Sequence, residues 1–250
     1  MDYTNSPLVS YTRLSPNHSG QRTHSIDRIT PHCVVGQCTA ESLGSWFAQS
    51  NAQASSNYGI DRDGRVGMYV EERNRSWCSS NGANDQRAVT IECASDTAEP
   101  YAFRDVVYQA LIRLCVDICK RNGKRKLLWL GDKDRTLAYA PAPDEMVLTV
   151  HRWFASKSCP GNWMYARMGD LASKVTAALG SAAEPAAPAE PEDPASSEAE
   201  QTYTVVKGDT LWGIARRLLG SGYRYTEIVK LNGLKTSVIY AGQTLRIPQK

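Results

Sequence analysis

The sequence predicts an α/β protein in which helices flank a mixed sheet, followed by a small βααβ domain. Strand-like and helix-like segments alternate through residues 1–180, which is the pattern of an α/β architecture. A stretch dominated by Pro, Ala and Glu follows over residues 181–201. The remaining segment, residues 202–250, has strand and helix signals of its own. We therefore expect two domains joined by a linker.

The predicted strands of the first domain are six short runs rich in β-branched and aliphatic residues. Asp63-Gly64 stands between the second and third runs and predicts a tight hairpin. In chain order the runs are Arg28–Val35, Asn57–Arg62, Val66–Val70, Ala88–Ala94, Leu127–Leu130 and Met146–Val150.

Three helices are predicted between and after these strands. Thr39 is a favourable N-cap for a helix over residues 40–50. Residues 104–121 give the strongest helix signal, because their aliphatic side chains recur on one face and Gly123 ends the segment. A final helix is predicted over residues 163–179.

The linker and the tail differ sharply in composition. Proline recurs at every third position of the linker, which contains no large apolar residue and should form a solvated, polyproline-II-like spacer. The tail is predicted to form a strand at residues 203–206, a helix that Gly208-Asp209-Thr210 opens and Leu218 ends, a helix at 226–231 and a strand at 244–248.

Composition and charge limit the classes of function. No apolar run is long enough to cross a membrane, and the first residues lack the apolar segment of a secretory signal. The seven cysteines have no extracellular spacing, so we expect reduced thiols and synthesis in the cytosol. The tail has eight basic residues against two acidic ones, which suggests an anionic polymer as partner. Nucleic acid is disfavoured because the tail lacks an aromatic–basic readout motif.

Three residues form a candidate metal site. His32 lies within the first predicted strand, His151 at the end of the sixth, and Cys159 in the loop beyond. Two imidazoles and a thiolate can hold zinc and leave the fourth tetrahedral position open to water. The three side chains can meet only if the two strands are neighbours. In the alternative interpretation, both histidines are satisfied core residues and Cys159 is a buried thiol.

Residues 28–180 resemble the zinc-dependent N-acetylmuramoyl-L-alanine amidases, which share a fold with peptidoglycan recognition proteins and amidase-type phage lysozymes. The resemblance implies one zinc ion bound by His32, His151 and Cys159. It also implies cleavage of the amide between N-acetylmuramic acid and the L-alanine of the stem peptide. The matching pieces are I-T-P-H-C-V-V, S-S-N-Y-G-I-D-R-D-G-R-V (55–66), A-V-T-I-E (88–92) and H-R-W-F-A-S-K-S-C-P-G (151–161).

The same resemblance implies the catalytic roles. Lys157, two residues before Cys159, matches the lysine that stabilises the oxyanion. One branch of the family uses a tyrosine as the base, but Ser56 stands at that position here. The other branch has a glutamate on the strand after an isoleucine, which is Glu92. We expect Glu92 to move the proton of zinc-activated water to the leaving amine; the alternative is a surface charge on an edge strand.

Three further residues are expected to contact the substrate. Asn57 and Tyr58 belong to the S-S-N-Y element, and Trp77 could line a glycan groove with its flat face. Packing is the alternative for Tyr58 and Trp77. The family often has Trp-His where this chain has Trp77-Cys78. This chain therefore has no histidine to perform any role that the family's histidine has at that position.

Residues 202–248 resemble a LysM module, through Y-T-V-V-K-G-D-T-L-W-G-I-A and A-G-Q-T-L-R-I-P. This resemblance implies non-catalytic binding of a glycan that contains N-acetylglucosamine, in a shallow groove. Tethering by the linker would raise the concentration of the catalyst on its polymer. The expected groove residues are Gly208, Asp209, Thr210 and Leu211 on one side and Val238, Ile239 and Tyr240 on the other.

Together these observations predict a monomeric cell-wall hydrolase with peptidoglycan as its partner and no membrane insertion. The apparent lack of a signal peptide favours a phage or prophage endolysin, which would accumulate in the host cytosol and reach the wall after membrane permeabilisation. A recycling amidase is disfavoured, because a polymer-binding tail has no use on soluble fragments. The alternative function is a non-catalytic peptidoglycan-recognition protein.

Overall fold

The computed structural model describes residues 3–180, 201–206, 209, 211–219, 224–234, 239–240 and 242–248. The chain divides into two compact units, Met1–Ala186 and Ala187–Lys250. Nearly all of the predicted linker lies outside the described residues.

The first unit contains nine strands and six α-helices in its described part. All six predicted strands and the predicted helices are present, and the last predicted helix is divided in two. The elements are β1 (Val9–Thr12), β2 (His18–Gln21), β3 (Arg28–Cys33), α1 (Ala40–Phe47), β4 (Tyr58–Ile60), β5 (Val66–Met68), β6 (Asn74–Ser76), α2 (Gly82–Arg87), β7 (Ala88–Cys93), α3 (Asp105–Arg121), β8 (Lys126–Leu128), α4 (Lys133–Ala138), β9 (Glu145–Leu148), α5 (Gly161–Tyr165) and α6 (Met168–Gly180).

The main sheet has seven strands in the order β1-β5-β4-β7-β3-β9-β8. Its pairs are parallel except for β4 and β5, which form an antiparallel hairpin. Gly64 turns this hairpin with a φ of 81°, and the Asp61 carboxylate accepts the backbone N–H groups of Asp63 and Arg65. The mixed sheet flanked by helices is therefore confirmed, with β2 and β6 forming a separate small sheet.

One face of the central strands is apolar and packs against α3 and α6. Leu111, Leu114 and Ile118 of α3 are fully buried, as are Leu171 and Val175 of α6. Burial of each aliphatic side chain of this size contributes about 1.5–3 kcal/mol relative to exposure. The apolar helix face that the sequence predicts for residues 104–121 is therefore the face of α3 that packs on the sheet.

The opposite face of β3 and β7 is polar and mostly buried. Thr30, Thr90 and Thr149 have no exposed surface, nor do Asn57 and Asn84. The two asparagines bind several of these hydroxyl groups: Asn84 Nδ2 donates to Thr30 Oγ1, Thr149 Oγ1 donates to Asn84 Oδ1, and Thr90 Oγ1 donates to Asn57 Oδ1. These five residues form a polar layer that holds the central strands against α2 and the segment before it.

The second unit is the predicted βααβ domain. Its elements are β10 (Gln201–Thr204), α7 (Leu211–Leu219), α8 (Tyr225–Leu231) and β11 (Thr244–Ile247). The two strands pair antiparallel. Ile214 and Ala215 of α7, Ile228 of α8, and Leu245 and Ile247 of β11 are fully buried and form its core.

Among the described residues, no helix combines the length and the apolar character needed to cross a membrane.

Candidate metal centre and active site

The sheet topology brings the predicted metal ligands together. β3 and β9 are parallel neighbours, with Ile29 opposite Leu148. His32 therefore lies near the end of β3, beside the segment in which His151 follows β9. Cys159 lies in the loop after His151, and its carbonyl accepts the backbone N–H of Arg152. The two strands that lead to His32 and His151 are therefore neighbours, as a shared metal site requires.

The donor atoms of His32, His151 and Cys159 all lie within 4.8 Å of one another. His32 Nδ1 is 3.3 Å from Cys159 Sγ, and the centroids of the two imidazole rings are 5.1 Å apart. Ser80 Oγ is 3.0 Å from His151 Nε2 and orients that ring. Three side chains from distant parts of the sequence thus converge in one place.

The chemistry of this donor set fits a zinc ion. Burial lowers the pKa of His32, with a further contribution from His151, and burial beside Lys157 lowers the pKa of His151. Both imidazoles are therefore neutral, which is the form that binds metal. A hydrogen bond with Cys33, together with burial, raises the pKa of the Cys159 thiol. Metal binding at this thiol would release its proton.

Glu92 lies beside the metal ligands because β3 and β7 pair in parallel with His32 opposite Glu92. Its Oε1 is 3.9 Å from His32 Nδ1 and accepts a hydrogen bond from Cys78 Sγ at 3.7 Å. Its Oε2 is buried and has no hydrogen-bond partner among the described residues. Burial raises the pKa of Glu92 to about 7. A carboxylate with these properties is suited to act as a general base near neutral pH.

An open cavity of about 500 Å³ borders this centre. Trp77 and Lys157 line it, together with His151 and Cys78. Trp77 is half-buried and fixed by a hydrogen bond from its Nε1 to Ser19 Oγ at 2.6 Å. Lys157 is exposed. Both side chains are therefore in positions from which they can contact a ligand in the cavity.

Asn57 and Tyr58, which the sequence predicted to contact substrate, do not line the cavity. Both are fully buried. Tyr58 donates a hydrogen bond from its hydroxyl to Glu72 Oε1 at 2.7 Å and accepts one from the Ser6 backbone. Asn57 accepts from Arg22 Nη2 and belongs to the polar layer. The expectation that they contact substrate is therefore wrong, and both support the sheet from within.

Ser80 and Cys78 are neighbours of the centre that the sequence did not predict. Neither belongs to a periodic segment, and the loop that carries them is brought to the site by α2. Asn81 caps α2 by accepting the backbone N–H of Asn84, while Asp85 accepts the backbone N–H groups of Cys78 and Ser79. The Asn81 cap was the available signal, since asparagine is a preferred N-cap residue.

The expected glycan groove of the second unit is partly described. Gly208, Thr210 and Val238 lie outside the described residues. Ile239 is half-buried against the core and Tyr240 is 72% exposed. The side chain of Leu211, in contrast, is 2% exposed and lies in the core, so any contact of this residue with a ligand in the proposed groove would be made by its backbone.

Asp209 is the remaining residue of this groove. Its Oδ2 accepts hydrogen bonds from the Tyr203 hydroxyl at 2.7 Å and from the Val206 backbone at 2.9 Å, and Arg217 lies 3.4 Å from its Oδ1. The Asp209 carboxylate therefore stabilises the turn after β10 through these hydrogen bonds.

Solved structures that resemble the chain include AmpD (17% identity, TM-score 0.49, covering 68% of this chain and 99% of that one) and PlyL (18%, 0.45, 70% and 97%). A third is the Drosophila peptidoglycan recognition protein PGRP-SA (16%, 0.46, 63% and 89%).

Curated relatives match short segments only. A probable N-acetylmuramidase of Lactococcus lactis subsp. cremoris is 50% identical over 44 residues, which are 18% of this chain and 9% of that protein. The protein YqbP of Bacillus subtilis is 39% identical over 66 residues, 22% of this chain and 30% of that protein. The chain thus spans less than a third of the length of either relative.

Two family models match the chain. The LysM domain model matches residues 203–248. The N-acetylmuramoyl-L-alanine amidase model matches residues 22–162, more than half of the chain, and this range includes all three candidate metal ligands and Glu92. The chain therefore belongs to the N-acetylmuramoyl-L-alanine amidase family and carries a C-terminal LysM domain.

Proposed function

We propose that the protein is a zinc-dependent peptidoglycan hydrolase that cleaves the amide bond between N-acetylmuramic acid and the L-alanine of the stem peptide. The observation that carries this proposal is the convergence of His32, His151 and Cys159 beside a buried carboxylate oxygen of Glu92. Membership of the amidase family supports the reaction class.

The proposed ligands of the zinc ion are His32, His151 and Cys159. When bound, zinc supplies Lewis acidity to the scissile carbonyl and to the attacking water. The protein's own contribution is to fix these three donors on neighbouring strands and on a short loop. Ser80 holds the His151 ring through Nε2, which leaves the Nδ1 atom of that ring for the metal.

Glu92 is the proposed proton carrier. Its Oε1 is bound by the Cys78 thiol, so its Oε2 is the oxygen that can accept a proton from water. The same oxygen would then deliver this proton to the leaving amide nitrogen. Lys157, at the wall of the cavity, is proposed to stabilise the oxyanion. Trp77 is proposed to contact the sugar ring through its face.

The proposed division of labour places catalysis in residues 1–180, a spacer in 181–201 and glycan binding in 202–250. Tyr240 is the most exposed large hydrophobic side chain among the described residues, which suits contact with N-acetylglucosamine. Retention on the polymer would raise the effective concentration of the catalytic domain at its bonds. We further propose an endolysin role, in which the enzyme lyses the host wall.

Mass spectrometry of digested peptidoglycan tests the proposed bond specificity. We expect released stem peptides with a free N-terminal L-alanine and glycan strands with intact sugar linkages. Shortened glycans or cleaved stem peptides would instead indicate a glycosidase or an endopeptidase. Absence of any product, with sacculi still bound, would favour a non-catalytic recognition protein.

Metal removal tests the proposed cofactor. We expect one zinc per chain by elemental analysis, loss of wall lysis after treatment with a strong chelator, and recovery when zinc is added back. Full activity in a chain shown to be free of zinc would contradict the proposal.

A further inference from the structure

A second group of metal-binding side chains lies next to the proposed zinc ligands. Cys78 Sγ, a carboxylate oxygen of Glu92 and a ring nitrogen of His32 all lie within 4.8 Å of one another. Cys78 Sγ is 3.7 Å from Glu92 Oε1, and His32 Nδ1 is 3.9 Å from the same oxygen. This group shares only His32 with the first set.

One member of this second group, Cys78, borders the cavity beside the proposed zinc ligands. Cys78 is half-buried and lines the same 500 Å³ cavity as His151 and Lys157. Glu92 Oε2 has no hydrogen-bond partner among the described residues, so a cation would compete with no existing contact at that atom. A thiolate combined with a carboxylate and an imidazole favours zinc or cadmium over magnesium or calcium.

The two donor groups compete for one atom. His32 Nδ1 is the ring nitrogen that faces both Cys159 Sγ, at 3.3 Å, and Glu92 Oε1, at 3.9 Å. One lone pair binds one ion. When the first set holds its metal, a second cation therefore has only Cys78 and Glu92 from the protein and must complete its coordination with water. The second site should accordingly be the weaker one.

We propose that Cys78 and Glu92 form a second, weaker site for a thiophilic divalent cation, and that a cation bound there inhibits the enzyme. Binding releases the thiol proton of Cys78 to solvent and involves no oxidation. The inhibitory effect rests on the proposed function, because it arises from withdrawal of Glu92 from proton transfer. Cation binding itself does not depend on that function.

A cadmium titration of the metal-free full-length chain tests the binding step. The readouts are equilibrium dialysis and the ultraviolet thiolate-to-cadmium absorption band. We expect two equivalents in the wild-type chain, the second bound more weakly, and one equivalent in both Cys78→Ala and Cys78→Ser. The matched control, Cys119→Ala, removes a thiol buried in α3 and should keep both equivalents. Two equivalents in a folded Cys78 variant, or one in the wild type, would overturn the proposal.

Excess zinc tests the inhibition. We expect wall lysis by the wild-type chain to fall as zinc exceeds one equivalent. Removal of a residue that only hydrogen-bonds to a metal ligand already lowers metal affinity by about 10–100-fold. Removal of a ligand itself should cost at least as much, so the inhibitory zinc concentration should rise by about tenfold or more in Cys78→Ser. Equal inhibition of both chains would refute the inhibitory role. A wild type inactive at every zinc concentration would count against the proposed hydrolase, while the cadmium titration would still decide whether the second site exists.

Discussion

The two oxygens of Glu92 have different surroundings, and this difference assigns them different tasks. Oε1 accepts the Cys78 thiol and faces His32, whereas Oε2 is buried without a hydrogen-bond partner among the described residues. A carboxylate that is held at one oxygen and free at the other is oriented for proton transfer. Its raised pKa, about 7, allows it to gain and lose a proton near neutral pH.

Replacement of this carboxylate by its amide tests the role directly. We expect Glu92→Gln to bind zinc as the wild type does, because the three proposed ligands are untouched. Turnover should fall by about 10²–10⁴-fold, the usual contribution of a general base. The measurements are zinc content and the rate of L-alanine amide cleavage.

The control for this change is Glu71→Gln, since the Glu71 carboxylate pairs with Arg73 away from the centre. This control should retain its turnover. Near-normal turnover in Glu92→Gln would remove Glu92 from the mechanism.

At the same scale, the sequence identified the residues of the site by their type and by family resemblance. The positions of His32, His151 and Cys159 needed no structure to be proposed. The contacts of Cys78 and the burial of Asn57 and Tyr58 could not be predicted, because they depend on which side of the sheet a loop covers. Motif membership alone therefore assigned substrate contact to two residues that support the core.

At the scale of elements, the centre depends on the polar layer beneath it. Parallel strands buried on both faces are usually apolar, but β3 and β7 carry threonines toward α2. Asn84 connects this layer: it donates to Thr30 and Ser79 and accepts from Arg28 and Thr149. Every one of these partners would lose a buried hydrogen bond if the amide were removed.

Asn84→Ala should therefore destabilise the first unit by about 2–4 kcal/mol, since each unsatisfied buried polar group costs about 1–3 kcal/mol. Urea unfolding followed by tryptophan fluorescence measures this loss, because five of the six tryptophans lie in the first unit. Asn51→Ala, at an exposed position, is the matched control and should change stability by less than about 0.5 kcal/mol. A loss in Asn84→Ala no larger than that of the control would show that the layer does not hold the strands.

The elements that the sequence predicted and those that it missed differ in a physical property. The six predicted strands and α3 have strong apolar periodicity because they enter the core. β1 and β2 alternate between half-buried and exposed residues and contain few aliphatic side chains. α2 and α4 have six residues each, too few to show helical periodicity. Short polar elements are stabilised by tertiary contacts that the local sequence does not reveal.

At the scale of the whole molecule, a unit of the amidase family and a LysM unit occur in one chain with a proline-rich stretch between them. Each described unit has its own apolar core. We therefore expect each unit to fold without the other. The tail is expected to act through proximity to the polymer and to leave the chemistry to the first unit.

Truncation after residue 180 tests this separation. We expect a folded enzyme that still cleaves soluble muropeptides at the wild-type rate but pellets less with insoluble sacculi, because the proposed glycan-binding tail is missing. Sedimentation with sacculi and turnover of the soluble substrate are the two measurements. Unchanged pelleting would refute the anchoring role of the tail.

The N-terminal residues are bound to a buried charge pair. Arg121 binds Glu72 and also donates to the Thr4 carbonyl, while Asn5 accepts the Glu72 backbone N–H and the Ser6 N–H binds Tyr58. The amidase family model begins at residue 22 and ends at residue 162. Trimming the chain to these limits would remove the edge strand β1, the partners of this pair and the whole of α6. An engineer who transplants the amidase-family unit should therefore retain residues 3–180.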